Sequence, residues 1–181
     1  MTDVGVPTEP PAAGDEISTL LGILERNRRT FGWKTGGLDA DGLRATTAAS
    51  AMTLGGLLKH LALVEADWFA VKLRGQTLGE PWDSVDWDAN ADWEWSSAAD
   101  DTPEQLYAIW HEAVLRSRRL VAAALADGGL DQPGHFSWPD GRTPNLRRMI
   151  VDMIEEYARH VGHADIIRES VDGLVGEDAP R

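Results

Sequence analysis

Apolar residues recur every three or four positions in four separate stretches of the chain, and no stretch alternates at the period of two that marks a half-buried strand. The first stretch runs from Asp15 to Trp33. It places Ile17, Leu20, Leu21, Leu24, Arg28 and Phe31 on one face, with Asp15 positioned as its N-cap. The second begins at Thr53, another N-cap, carries Leu54, Leu57, Leu58, Leu61, Val64, Trp68 and Val71, and stops near Gly75. Gly55 and Gly56 fall in its first turn. Glycine costs about 1 kcal/mol in a helix interior, so close packing is expected there. The third opens at Thr102-Pro103-Glu104-Gln105, a capping box with proline at the first helical position, and ends at Gly128-Gly129. The fourth opens at Thr143-Pro144, carries Leu146, Met149, Ile150, Met153, Ile154, Tyr157, Ala164 and Ile167, and closes between Val171 and Gly173. At 1.5 Å per residue it is the longest, roughly 40 Å. The pattern predicts an all-α four-helix bundle.

The connections are uneven. Lys34 to Met52 joins the first two helices and has room for one short turn at Asp39 to Arg44. About 27 residues, Gly75 to Asp101, join the second and third, a length that usually marks a functional or a disordered segment. Four of the eight tryptophans lie in it (Trp82, Trp87, Trp93 and Trp95), a content foreign to disorder, so it is expected to fold against the bundle. The domain organisation read from this is a flexible N-terminal tail over 1–14, one bundle over 15–173 and a C-terminal tail over 174–181.

Composition narrows the partners. A length of 181 residues suits one core. A formal net charge of −13 argues against nucleic acid, whose phosphates need clustered Lys and Arg, and against an anionic membrane surface. The one basic run, Arg26, Arg28 and Arg29, reads as a solvated helix face. There is no cysteine, which removes disulfides, thiolate ligands and a protein thiol nucleophile. With neither a signal peptide nor an apolar span in the sequence, the expected location is the cytoplasm.

The candidate chemistry lies in the fourth helix. Glu156 and His160 are four residues apart and share a face beside Met153 and Tyr157, whereas Glu155 and Arg159 point outward as a solvent pair. His60 lies among Leu57, Leu61 and Val64 on the second helix. Imidazole and carboxylate groups facing a core need partners or a metal. One His from one helix and a Glu-x-x-x-His pair from another can hold a single divalent ion with a position left open, the usual form of a catalytic zinc site. A hydrogen-bonded core histidine and a plain i, i+4 pair account for the same spacing. His163 can replace Glu156 as a ligand, or support the site from behind. His111 is expected at a helix–helix interface, and His135 at a pocket mouth in the loop 132–138. Tyr157 and Asp165 read as structural. Glu65 and Asp67 follow His60 as candidate bases for hydrolysis, with Glu65 expected at the bundle edge.

At these residues the chain resembles the DinB superfamily of metal-binding four-helix bundles. The resemblance rests on Thr53-Leu-Gly-Gly-Leu-Leu-Lys-His60-Leu-Ala-Leu-Val-Glu65 and on Met153-Ile-Glu-Glu-Tyr-Ala-Arg-His-Val-Gly-His-Ala-Asp165, and spans about Ile17 to Gly173. Many members hold their metal with three histidines. Glu156 stands where one of these is expected, as in mycothiol-dependent maleylpyruvate isomerase, which uses His, Glu and His. The resemblance implies His60, Glu156 and His160 as ligands of zinc, with nickel, manganese or iron also suited to a carboxylate. It further implies an up-up-down-down bundle, homodimerisation, and a low-molecular-weight thiol such as mycothiol as cofactor. Three functions follow as expectations: a metal-dependent thiol S-transferase or isomerase with His163 as orienter or proton acceptor, a metal-dependent hydrolase, or a non-catalytic metal- or ligand-binding stress protein.

Overall fold

Asp15 accepts a hydrogen bond from the Ser18 N–H and starts α1 (Glu16–Thr35). A five-residue helix, α2 (Ala40–Arg44), follows where the short turn is expected. Thr53 caps α3 (Leu54–Glu65), which runs on without a break into a π-helical segment, Ala66–Lys72. A single turn, α4 (Trp93–Ser96), lies in the Trp-rich connection. The capping box of Thr102 and Gln105 opens α5 (Pro103–Gly128). The last helix is α6 (Leu146–Asp172), closed by Gly173 in the left-handed conformation (φ 77°) that glycine favours. This computed structural model describes residues 9–179, so 1–8 and 180–181 of the expected tails lie outside the described residues. The described residues form an all-α bundle.

Cross-links between helices set their directions. Arg147 pairs with Glu16 at one end of α1 and α6, and Arg168 donates to the carbonyls of Lys34 and Gly36 at the other, so these helices run parallel. Gly55 approaches Leu106, Ser117 donates to the Glu65 carbonyl, and Arg74 pairs with Asp127, so α3 and α5 also run parallel. Glu65 meets Tyr157 while His60 meets His160, so α3 runs against α6. The order is up-down-down-up, which corrects the up-up-down-down arrangement implied by resemblance. The first connection, with α2 in it, reverses the chain. The long one carries it back along the bundle so that α5 can start beside the start of α3.

One helix boundary and one apolar stripe also differ from the sequence reading. Helix α6 opens at Asn145, whose side chain accepts from the Arg148 N–H. Thr143 and Pro144 instead precede the helix, beside an isolated bridge between Pro133 and Asn145. The expected stripe of α3 fails past Val64, because the wider π turn shifts the facing positions. Phe69 and Ala70 are fully buried there, and Trp68 and Val71 are only partly so.

The core is crossed by a buried ion cluster. Arg28 donates from Nε and Nη2 to the two oxygens of Glu65, at 2.7 Å each, and from Nη1 to Glu25 at 2.7 Å. Tyr157 donates to Glu65 at 2.8 Å and accepts from the Trp110 indole at 2.9 Å. Arg118 closes the outer side on Glu25. Burial, and then the Glu65 charge, push the Tyr157 phenol well above its ordinary range. Burial would raise the Glu25 carboxyl, but hydrogen bonds and charge from Arg118 and Arg28 outweigh it and hold the group below its usual value. Arg28 is thus not on a solvated face, and Glu65 is not at the bundle edge; their exposures are 4% and 0%. A bidentate guanidinium–carboxylate pair tolerates such burial because each lone pair and N–H finds a partner.

The Trp-rich connection folds against α3 and α5, as its composition predicts. Trp82 is buried with Ala62 and Ala66, and Trp82 and Trp87 both pack edge-on to Trp93. Lys59 places its ammonium 4.0 Å from the Trp93 ring centroid and hydrogen-bonds Ser97 and Asp101. Arg116 holds the start of the segment through the Leu78 and Thr77 carbonyls.

Breaking the buried pair from one side leaves an uncompensated charge, at a cost of about 3–5 kcal/mol. Urea unfolding should therefore show Glu65→Leu and Arg28→Met each strongly destabilised, and the double variant less destabilised than either. Additive losses in the double variant would contradict the pairing.

Candidate metal centre

The site forms where α3 passes α6 in the opposite direction. His60 sits between the fully buried Leu57 and Leu61, on an apolar helix held down by close packing at its start. A Cβ on Gly55 would lie 3.1 Å from Leu106, and one on Gly56 only 2.8 Å from the Trp95 ring. Gly56 thus leaves room for Trp95, which stacks on the His60 imidazole with centroids 4.6 Å apart and planes at 24°. Across the cleft, the i, i+4 spacing on α6 stacks Glu156 and His160 one turn apart.

The structure brings the three expected ligands together. Glu156 Oε1 lies 3.2 Å from His60 Nε2 and 3.1 Å from His160 Nε2. One donor atom from each residue falls within 4.8 Å of the other two. The side chains of His60 and Glu156 keep 18% and 27% of their exposure, so the cluster has an open side, while His160 is buried at 7%. Hydrogen bonds from His160 and then His60 hold the Glu156 carboxyl far below its ordinary range.

Both imidazoles are also held from behind. His60 Nδ1 meets Glu94 Oε1 at 3.4 Å, and His160 Nδ1 meets His163 Nδ1 at 3.2 Å. With Nδ1 engaged outward, each ring turns Nε2 toward the shared carboxylate, the arrangement in which an outer partner fixes the tautomer of a metal-ligating histidine. Two imidazole nitrogens and a carboxylate are a donor set suited to a divalent ion. With ligand bonds of roughly 2.0–2.2 Å, neighbouring ligand atoms lie about 3.0–3.5 Å apart. The two separations measured from Glu156 fall in that range, so the residues fit such an ion.

The remaining candidates scatter. His163 supports His160 and stands one turn beyond the cluster; burial, then the charges of His160 and Arg159, lower its pKa. His111 is exposed on α5, not at a helix interface, because it falls on the outward side of that helix. His135 is exposed in its loop, its ring against Gly75, away from the cluster. Asp165 pairs with Lys34 at 2.7 Å, and Glu155 pairs with Arg159 at 3.1 Å as its spacing predicts. Glu65 is consumed by Arg28, and Asp67 pairs with Lys72. Sequence reasoning missed Glu94 and the contact of Trp95. A carboxylate between two tryptophans, Trp93-Glu94-Trp95, was the available sign, since a buried acid needs a partner.

A four-helix bundle with a His/Glu/His cluster between antiparallel helices is the class of protein that fold and site define, and the chain falls within the DinB-like superfamily. The family model for mycothiol-S-transferase matches residues 19–173, all four long helices, and the chain belongs to that family. Neither the curated proteins nor the solved structures give a significant match. Among the described residues, no helix is long and apolar enough to cross a membrane.

A ligand that bridges α3 and α6 stabilises the fold by about 2.7 kcal/mol at a hundredfold excess over its Kd. Thermal melts should show metal-stripped protein gaining stability on zinc addition, and His160→Ala gaining none. Identical melting of the parent with zinc and with chelator would contradict a site of that kind.

Proposed function

We propose that the chain is a metal-dependent S-transferase or isomerase that uses mycothiol or a closely related low-molecular-weight thiol. The reading rests on one observation: the Nε2 atoms of two imidazoles converge on one Glu156 oxygen, in a chain of the mycothiol-S-transferase family. His60, Glu156 and His160 would hold the ion, zinc first, with nickel, manganese or iron also compatible with the donor set. A bound divalent ion would supply the positive charge that keeps a thiol as its thiolate near neutral pH.

The chain's own residues then position and shelter. His163 orients His160 through Nδ1, and Trp95 covers one face of His60. In transfer, the thiol loses its proton to solvent, its sulfur bonds to the electrophilic carbon, and the leaving group departs with the electron pair of the bond that breaks. The protein supplies no thiol of its own, so the nucleophilic sulfur arrives with the cofactor. Hydrolysis is less well served, because Glu65 and Asp67 are both engaged in ion pairs. Homodimerisation is part of this reading, on the family resemblance.

Metal-loaded protein incubated with mycothiol and monochlorobimane should form the fluorescent conjugate faster than the His60→Ala variant. A rate equal to that background, with other generic electrophiles as well, would overturn the thiol-transfer reading.

A further inference from the structure

The acidic residue of the crossover turn is built into the site in a way its surroundings do not otherwise explain. Glu94 lies on the single-turn helix α4, and its side chain is 9% exposed. Oε1 faces His60 Nδ1 at 3.4 Å. Oε2 is buried and has no hydrogen-bond partner among the described residues. Lys59, the nearest cation in sequence to His60, is already spent on Ser97, Asp101 and the Trp93 ring. A buried carboxylate with one oxygen unpaired is costly on its own and needs a compensating positive charge.

We infer that Glu94 is the positioning residue of the metal centre, holding His60 by its Nδ1–H so that Nε2 faces the ion, and that the ion's charge in turn compensates Glu94 through the ring. The inference rests on the metal reading above and deepens it by making the Trp-rich crossover part of the centre. Trp95 beside it clamps the same imidazole from its face, so the segment fixes His60 in both tilt and tautomer. Carboxylates behind metal-ligating histidines set ligand basicity and orientation, and their loss typically weakens metal binding 10- to 100-fold.

Two readouts of opposite sign distinguish this from a structural role. Glu94→Gln keeps an acceptor near His60 but removes the charge. It should bind cobalt(II), followed by its d–d absorption, and zinc, by chelator competition, about 10- to 100-fold more weakly than the parent. The same variant, stripped of metal, should melt at or above the temperature of the stripped parent, because an uncompensated buried charge is gone. Glu94→Ala should weaken metal binding at least as much and also alter the cobalt spectrum, since His60 is then free to turn. A stripped Glu94→Gln that melts well below the parent would assign Glu94 to the fold and overturn the inference. So would metal affinity equal to the parent's in a parent that binds. A parent that takes up neither ion would overturn the metal reading itself, and this inference with it.

Discussion

The bidentate pair between Arg28 and Glu65 is the constraint on which the rest of the bundle depends. It joins α1 to α3, and through the Tyr157 hydroxyl it also fixes α6, so three helices are registered by one carboxylate. Apolar stripes specify register less sharply, because hydrophobic residues of similar volume can stand in for one another in a core. A buried carboxylate cannot slide without stranding its charge. That registry has a chemical consequence. Tyr157 adjoins Glu156 in the chain, and His60 lies little more than a turn from Glu65, so locking Glu65 to Tyr157 sets His60 across from Glu156 and His160.

The candidate centre then reads as layers around one carboxylate oxygen. Two imidazoles face it with Nε2, and each is braced at Nδ1, one by Glu94 from the crossover and the other by His163 from its own helix. Gly56 opens the gap into which Trp95 inserts. Three structural elements far apart in the chain converge here, and His60 and Glu156 leave an open flank.

Much of this was legible in the sequence. Asp15, Thr53 and the Thr102–Gln105 box cap their helices because local side-chain-to-backbone bonds need only a few residues of context. His60, Glu156 and His160 stood out because ionisable groups on an apolar helical face require an explanation. What was not legible depends on long-range geometry. Arg28 and Glu65 each resemble a surface residue until paired, although both fall on apolar stripes. The π turn after Glu65 leaves no local signature and moves the core from Trp68 and Val71 to Phe69 and Ala70. Helix direction depends on how far the connections carry the chain. Glu94 gains its meaning only once the crossover docks.

The central claim is that His60, Glu156 and His160 together hold one divalent ion. Elemental analysis of purified parent and His160→Ala proteins tests it most directly. Close to one equivalent of a transition metal per chain in the parent, with almost none in the variant, is the predicted result. A parent without stoichiometric metal after reconstitution, or a variant that retains the parent's content, would contradict it.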